Sequence, residues 1–219
     1  MFSFKYLIYS MRVCFVYCLL LLCFASKAQQ SNFEAKLSDV VNRFNHIEHQ
    51  GQYAPILHEF IYLTKAYPKE WLPFYYAAIV QTKLALMNKA EQDNLSDQAI
   101  EWIIKCKKIQ INDEVLCAES LAYTTKMSVH PTWRWLGYQD KIREPLRLAK
   151  KINASNPRIY VLEANLQYHL PLAFGGGCNK ALPIAKRAER LLNDEKGRAK
   201  YLPTWGYTSI KEILTTCNF

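Results

Sequence analysis

Three consecutive glycines, Gly175 to Gly177, stand in the stretch FGGGCNKALP just ahead of a strongly helical run. Glycines feeding a helix N-terminus can cradle phosphate, because unpaired backbone N–H groups and the positive end of the helix dipole converge there. A phosphate loop of that kind also needs a lysine followed by Ser or Thr, to reach the terminal phosphates and hold magnesium. Here Gly177 is followed by Cys178 and Asn179, and Lys180 precedes Ala181. The preceding NLQYHLPLAF lacks the alternation and β-branched content of a strand. Pro183 removes a further N–H near the helix start. Phe174, Gly175, Gly176 and Gly177 are therefore read as a structural loop, a tight bend that needs positive φ and close helix approach. Cys178 beside that helix start could carry a lowered thiol pKa, but no histidine accompanies it in sequence to make a nucleophile pair.

Other chemistry-bearing residues are scattered. His46 and His49 share a helical face with Glu48 between them, yet His58, His130 and His169 lie far along the chain without metal-ligand spacing. HExxH, GxSxG, CxxC and paired-carboxylate motifs are all absent from the sequence. The expectation is a protein that is not an enzyme and has no cofactor or metal. Aromatic residues carry more information. WLPFYY (Trp71 to Tyr76) reads as core packing, whereas Trp133, Arg134 and Trp135 fall after His130-Pro131 in an expected connection between helices. Trp and Arg are enriched in binding hot spots, so these three are the candidate binding residues; the competing reading is indoles folded back over a core.

The N-terminal segment reads as a leader. Lys5 and Arg12 precede the apolar run Val13 to Ala25, and Ser26 and Ala28 suit a signal-peptidase site. The run of 13 residues falls short of the ~20 needed to span a bilayer. Leu22 is larger than the residue usual before a lipidated cysteine, so Cys23 is not expected to carry a lipid. Cleavage after Ala28 leaves residues 29–219 as one domain of 191 residues, secreted or periplasmic. That domain has 25 basic and 19 acidic residues, a net charge of +6. No basic stripe or RNA-binding motif points to nucleic acid. Cys106, Cys117, Cys178 and Cys217 remain, and an even number in an oxidising compartment permits disulfides. Cys106 and Cys117 flank an expected turn at Ile111-Asn112 at similar distances, which suits a cross-helix disulfide; two buried packing cysteines would look the same.

The elements that must position all this are helices. Gly and Pro are sparse and apolar residues recur at helical spacing, beginning with Phe33, Leu37, Val40, Val41, Phe44 and Ile47. A second stripe, Tyr53 to Tyr67, stops at Pro68. The third helix is expected over Trp71–Met87, the fourth over Asp97–Ile109 with Ser96 as N-cap, and the fifth from the Asn112 cap. The sixth is expected from Trp135 to Ile152, kinked or restarted at Pro145. The seventh runs from Arg158 to about Leu170, the eighth from about Lys180 to Leu192, and a ninth follows Pro203.

Around Asn156-Pro157 the text NPRIYVLEANLQY resembles the start of a tetratricopeptide (TPR) repeat. A proline closes the preceding unit, Tyr160 opens helix A and the small Ala164 follows four residues later. Ala181 and Ala188, seven apart, match the small positions of helix B, and Ala99 and Cys106 repeat that spacing after Phe74 and Ala78. Small residues there let neighbouring helices approach closely. Where the family places Ala164 and Ala181 equivalents 12 apart, they are 17 apart here, and Ala78 to Ala99 is 21. The hairpin loops are thus enlarged, and FGGG lies in one of them. A glycine-rich loop before an Ala-rich helix on an exported scaffold is also similar to the T component of TRAP solute transporters. The resemblance implies an all-α, α-α superhelix of antiparallel hairpins with a C-terminal capping helix, docking a protein or peptide in a cell-envelope complex. The alternative it implies is a periplasmic solute-binding or transport-accessory protein.

Overall fold

The computed structural model describes residues 30–195 and 197–217 (for Ala173 only the backbone), so the expected leader, residues 1–28, lies outside the described residues. Among the described residues there are helices and no strands. They are α1 (residues 30–45), α2 (Tyr53–Ala66), α3 (Trp71–Met87), α4 (Gln92–Ile109), α5 (Asp113–Met127), α6 (Pro131–Ile152), α7 (Pro157–His169), α8 (Cys178–Asp194) and α9 (Tyr207–Cys217). Single 3-10 turns at Gln50–Gln52 and Leu172–Phe174 lead into α2 and toward α8.

The chain folds as antiparallel hairpins stacked into a superhelix. α3 packs on α4, α5 on α6 and α7 on α8, while α9 closes the end against α7 and α8. The stripe Phe33, Leu37, Val40 and Val41 buries one face of α1 among Ile56, Phe60 and Tyr76. A second cluster joins Leu146, Ile159, Val161, Ile210 and Ile213. α5 belongs to both: Val115, Ala118 and Ala122 enter the first cluster, Leu116 and Cys117 the second. The small residues Ala78, Ala99, Cys106, Ala164, Ala181 and Ala188 are all buried, as close helix approach demands.

Three expectations need correction. Ser96 is not a helix cap. α4 begins at Gln92, and the buried Ser96 hydroxyl donates instead to the Gln92 carbonyl at 2.6 Å. The helix can start early because Gln92 is itself buried and donates to Thr125 O (3.1 Å) and Ser128 Oγ (2.8 Å) across the hairpin stack. α6 likewise starts at Pro131, not at Trp135, and continues through Pro145. Proline suits the first helical turn, where its missing N–H would have had no partner. Trp133, Arg134 and Trp135 therefore lie on a helix and not in a connection.

The third correction concerns the cysteines. Cys106 and Cys117 are free and buried, and Cys178 is joined to Cys217. Equal distance from a turn sets equal height along two helices, whereas helical phase sets the direction each thiol faces. Cys106 packs in the first cluster, with its thiol 3.4 Å from the Trp71 carbonyl, and Cys117 packs in the second. The disulfide ties the start of α8 to the end of α9.

Candidate ligand-binding surfaces

The three aromatic-site candidates from the sequence separate in space. Trp133 is 89% exposed on the first turn of α6, and Leu136, one turn on, is 79% exposed. Arg134 turns inward. Its Nη1 donates to the Lys126 carbonyl at 2.9 Å and pairs with Asp93, which fastens the start of α6 to α4 and to the end of α5. Lys126 joins the same group through Asp97 (2.7 Å) and Asp93 (2.9 Å). Arg134 and Lys126 together hold the Asp93 carboxyl well below the ordinary carboxylate range. Trp135 is half-buried beneath the Arg143 guanidinium, 5.4 Å from its ring centre. Of the three, only Trp133 presents a free indole face.

Two open hollows lie elsewhere on the surface. One, of about 600 Å³, runs between α1 and α2 and is lined by charged residues including Lys36, Asp39, Arg43 and Glu59, with His58 and Tyr62. Arg43 already pairs with Asp39 one turn away on α1 and with Glu59 across the hollow. Its cation is thereby neutralised for an incoming anion.

The other, of about 610 Å³, sits at the turn between α7 and α8 and is lined by Tyr168, His169, Leu172, Gly177, Cys178 and Asn179. Gly177 brings the end of the glycine loop to it. Gly175 is in the left-handed region (φ 80°) and closes the 3-10 turn, and Gly177 (φ 98°) precedes α8. Gly177 N–H donates to the Gln167 carbonyl at 2.8 Å, which folds the loop back onto the end of α7. Gly176 lies so close to that end that an added Cβ would sit 1.9 Å from the Leu170 carbonyl oxygen. No larger residue fits there. The folded loop holds Leu172 82% and Phe174 64% exposed, and of the two Leu172 lines the hollow. Tyr168 and His169 meet edge to face, ring centres 4.9 Å apart.

The largest buried polar group, missed by sequence reasoning, stands apart from all these surfaces. Arg158, fully buried at the first turn of α7, donates from Nε to Glu114 Oε1 at 2.9 Å and from Nη2 to Glu195. Arg198 adds a second cation to Glu195 and stands 3.6 Å from Glu114. Burial pushes the Glu114 carboxyl up to about 7, against the pull of Arg158 and Arg198. The same segment carries Tyr201, whose carbonyl accepts from Tyr76 Oη (2.9 Å), and Trp205, whose Nε1 donates to Tyr75 Oη (2.7 Å). The connector from α8 to α9 thus reaches across to α3 and binds the two core clusters together. This is scaffold chemistry, since each group faces protein. The one sequence signal for it is a cation at a helix start, where the dipole disfavours it unless carboxylates answer.

Fold and surface together define a helical-hairpin superhelix with an open hollow at the α7–α8 turn and exposed apolar residues on its surface. The solved structure of the HusA haemophore from Porphyromonas gingivalis is similar, with a TM-score of 0.75 and 27% sequence identity, over 83% of this chain and 90% of that one. No family model matches the chain, and no curated protein matches it by sequence. No described helix is long and apolar enough to cross a membrane.

Proposed function

We propose that this protein is a non-enzymatic, exported binding protein whose ligand is a flat, apolar molecule of the haem type. The observation that carries the reading is the likeness to the haemophore, which extends over nearly the whole of both chains. Exposed Leu172 beside Tyr168 in the α7–α8 hollow supports it, as apolar surface that a flat ring could cover. The disulfide between Cys178 and Cys217 fits export to an oxidising compartment. Titrating the protein with haemin while recording visible absorption tests the reading. A saturable shift of the Soret band with one ligand per chain is expected. Absorption identical to free haemin at every protein concentration sinks it.

A second reading, docking of a partner protein in the cell envelope, is favoured by a separate observation. Trp133 and Leu136 project together from α6, and neither shares the α7–α8 hollow. Arg134 holds that turn in place from below. A double substitution Trp133→Ser and Leu136→Ser leaves the fold intact, since both side chains are exposed. It should remove a defined envelope protein from affinity capture while haemin titration is unchanged. Identical capture by the wild type and the double variant rules this reading out. The TPR-like and TRAP-like resemblances both imply this kind of scaffold or solute-handling role, and the haem-type ligand is a specific form of the latter.

A further inference from the structure

We propose that the end of the stack formed by the α5–α6 and α7–α8 turns docks on an anionic phospholipid bilayer, with Trp133, Leu136, Leu172 and Phe174 entering its interface. All four are exposed, and none belongs to either core cluster. Trp133 and Leu136 project from the first two turns of α6, and Leu172 and Phe174 from the 3-10 turn before the glycines. Exposed apolar side chains gathered on one surface mark a protein or membrane contact. The proposal goes beyond the binding-protein reading, which by itself needs no membrane contact.

The two turns share one end because of how α5 and α7 are joined. Both are first arms of antiparallel hairpins, and their starts are tied together. Asp113 accepts from Asn153 Nδ2 (2.8 Å) and Asn156 Nδ2 (2.9 Å), and Glu114 accepts from Arg158 Nε. α5 has 15 residues and α7 has 13, so at ~1.5 Å per residue their far ends differ in height by only about 3 Å. At that far end lie the turn from α5 into α6 and the loop from α7 into α8. The fold-back of Gly177 on Gln167 and the Cys178–Cys217 disulfide fix the second of these, which reduces the ordering cost of docking.

The charge at this end suits lipid headgroups. No Asp or Glu occurs between Glu119 and Asp140, nor between Glu163 and Glu189, so neither turn carries a carboxylate. Asp93 and Asp97 reach the α5–α6 turn from α4, where Lys126 and Arg134 answer them. Lys180 is exposed in the first turn of α8, and a lysine close to an anionic membrane adds attraction to apolar insertion. Trp settles at the headgroup level, where its ring is in an apolar layer and its N–H stays wet. The opposite end of the stack differs. Ile111 and Ile152 are exposed there, but Asp113 lies two residues from one and bonds Asn153, the neighbour of the other. The four side chains of the proposed surface stand on separate tips, not on the walls of one groove. A fluid interface takes up separate protrusions, whereas a protein partner needs a surface shaped to each.

The test is co-sedimentation of the protein, as exported by its cell, with vesicles of phosphatidylcholine plus phosphatidylglycerol and of phosphatidylcholine alone. Haemin is left out, so the result stands apart from the haem-type reading. The wild type should sediment with the anionic vesicles, more weakly with the neutral ones, and less as salt is raised. Leu172→Ser/Phe174→Ser and Trp133→Ser/Leu136→Ser should each weaken anionic-vesicle binding by roughly tenfold, because interfacial affinity follows the apolar area inserted. Lys180→Glu should weaken binding to the anionic vesicles only. Ile111→Ser/Ile152→Ser, at the opposite end, should bind as the wild type does. All these side chains are exposed, so every variant should keep the wild-type melting temperature. A wild type that stays in the supernatant with both kinds of vesicle overturns the proposal, and so does an equal loss in Ile111→Ser/Ile152→Ser. Vesicle binding kept by both turn variants, while Trp133→Ser/Leu136→Ser loses an envelope protein from affinity capture, overturns it in favour of protein docking.

Discussion

Arg158→Leu should destabilise the protein by about 3–5 kcal/mol, because it leaves a buried carboxylate without its principal partner. Glu114 is buried and has one oxygen, Oε2, without a hydrogen bond even in the intact cluster. Removing the guanidinium leaves Arg198, 3.6 Å away, as the nearest cation to it. The effect should depend on pH. The Glu114 carboxyl stands at about 7 in the fold, above its ordinary value near 4.3 when unfolded. A raised carboxyl pKa means that the contribution of Glu114 to stability is greatest at low pH and declines as pH rises from about 4.3 to about 7. Arg158 pulls that pKa down, so its loss extends the decline to higher pH and the deficit of Arg158→Leu should be larger at pH 8 than at pH 5. The double variant Arg158→Leu/Glu114→Leu should recover part of the loss, since apolar side chains of similar size often replace a buried ion pair without penalty. Urea denaturation of the three proteins at both pH values measures this. A cost below about 1 kcal/mol for Arg158→Leu at pH 8 would mean that the cluster does not hold the two cores together.

Loss of the Cys178–Cys217 disulfide should cost about 4 kcal/mol, from the chain entropy of a cross-link between residues 39 apart. The bond joins the first turn of α8 to the last turn of α9 and so fixes the capping helix on the stack. Cys178→Ser/Cys217→Ser should therefore melt earlier than the wild type, by an amount matched by adding a reductant to the wild type. Cys106→Ala and Cys117→Ala should not respond to reductant differently from the wild type. Their thiols are buried, which pushes Cys106 up to about 12 and Cys117 well above its ordinary value, so both should resist alkylation until the protein unfolds. Peptide mapping of the oxidised protein should recover Cys178 linked to Cys217. Recovery of Cys106 linked to Cys117 would contradict the assignment.

How far these features could be read from the chain depended on whether each was local. Asn112 caps α5 through a 2.9 Å bond to the Val115 N–H, and the Asn156 side chain caps α7 through the Arg158 N–H at 2.9 Å. Both lie within three residues of the groups they serve. The small residues at Ala164, Ala181 and Ala188 were legible in the same way, because helical spacing alone brings them onto packed faces. The start of α4 was not, since it depends on Gln92 meeting Thr125 and Ser128 some 33 and 36 residues away. Nor was the fate of Arg134, which looks like an exposed hot-spot cation until Asp93 arrives from a different helix.

The glycine loop divides along the same line. Its three glycines, and the need for a bend, were plain from residue type. That the bend folds back on Gln167 and Leu170, and so leaves Leu172 in a hollow with Tyr168 and His169, required the hairpin to be closed. Periodicity, caps and breakers by themselves determined an all-α stack of hairpins and the places where it turns, since each acts over a few residues. Only the tertiary structure decided which cysteines pair, which cation is buried and which aromatic rings face outward. Those outcomes depend on helical phase and on partners tens of residues distant, to which local spacing carries no reference.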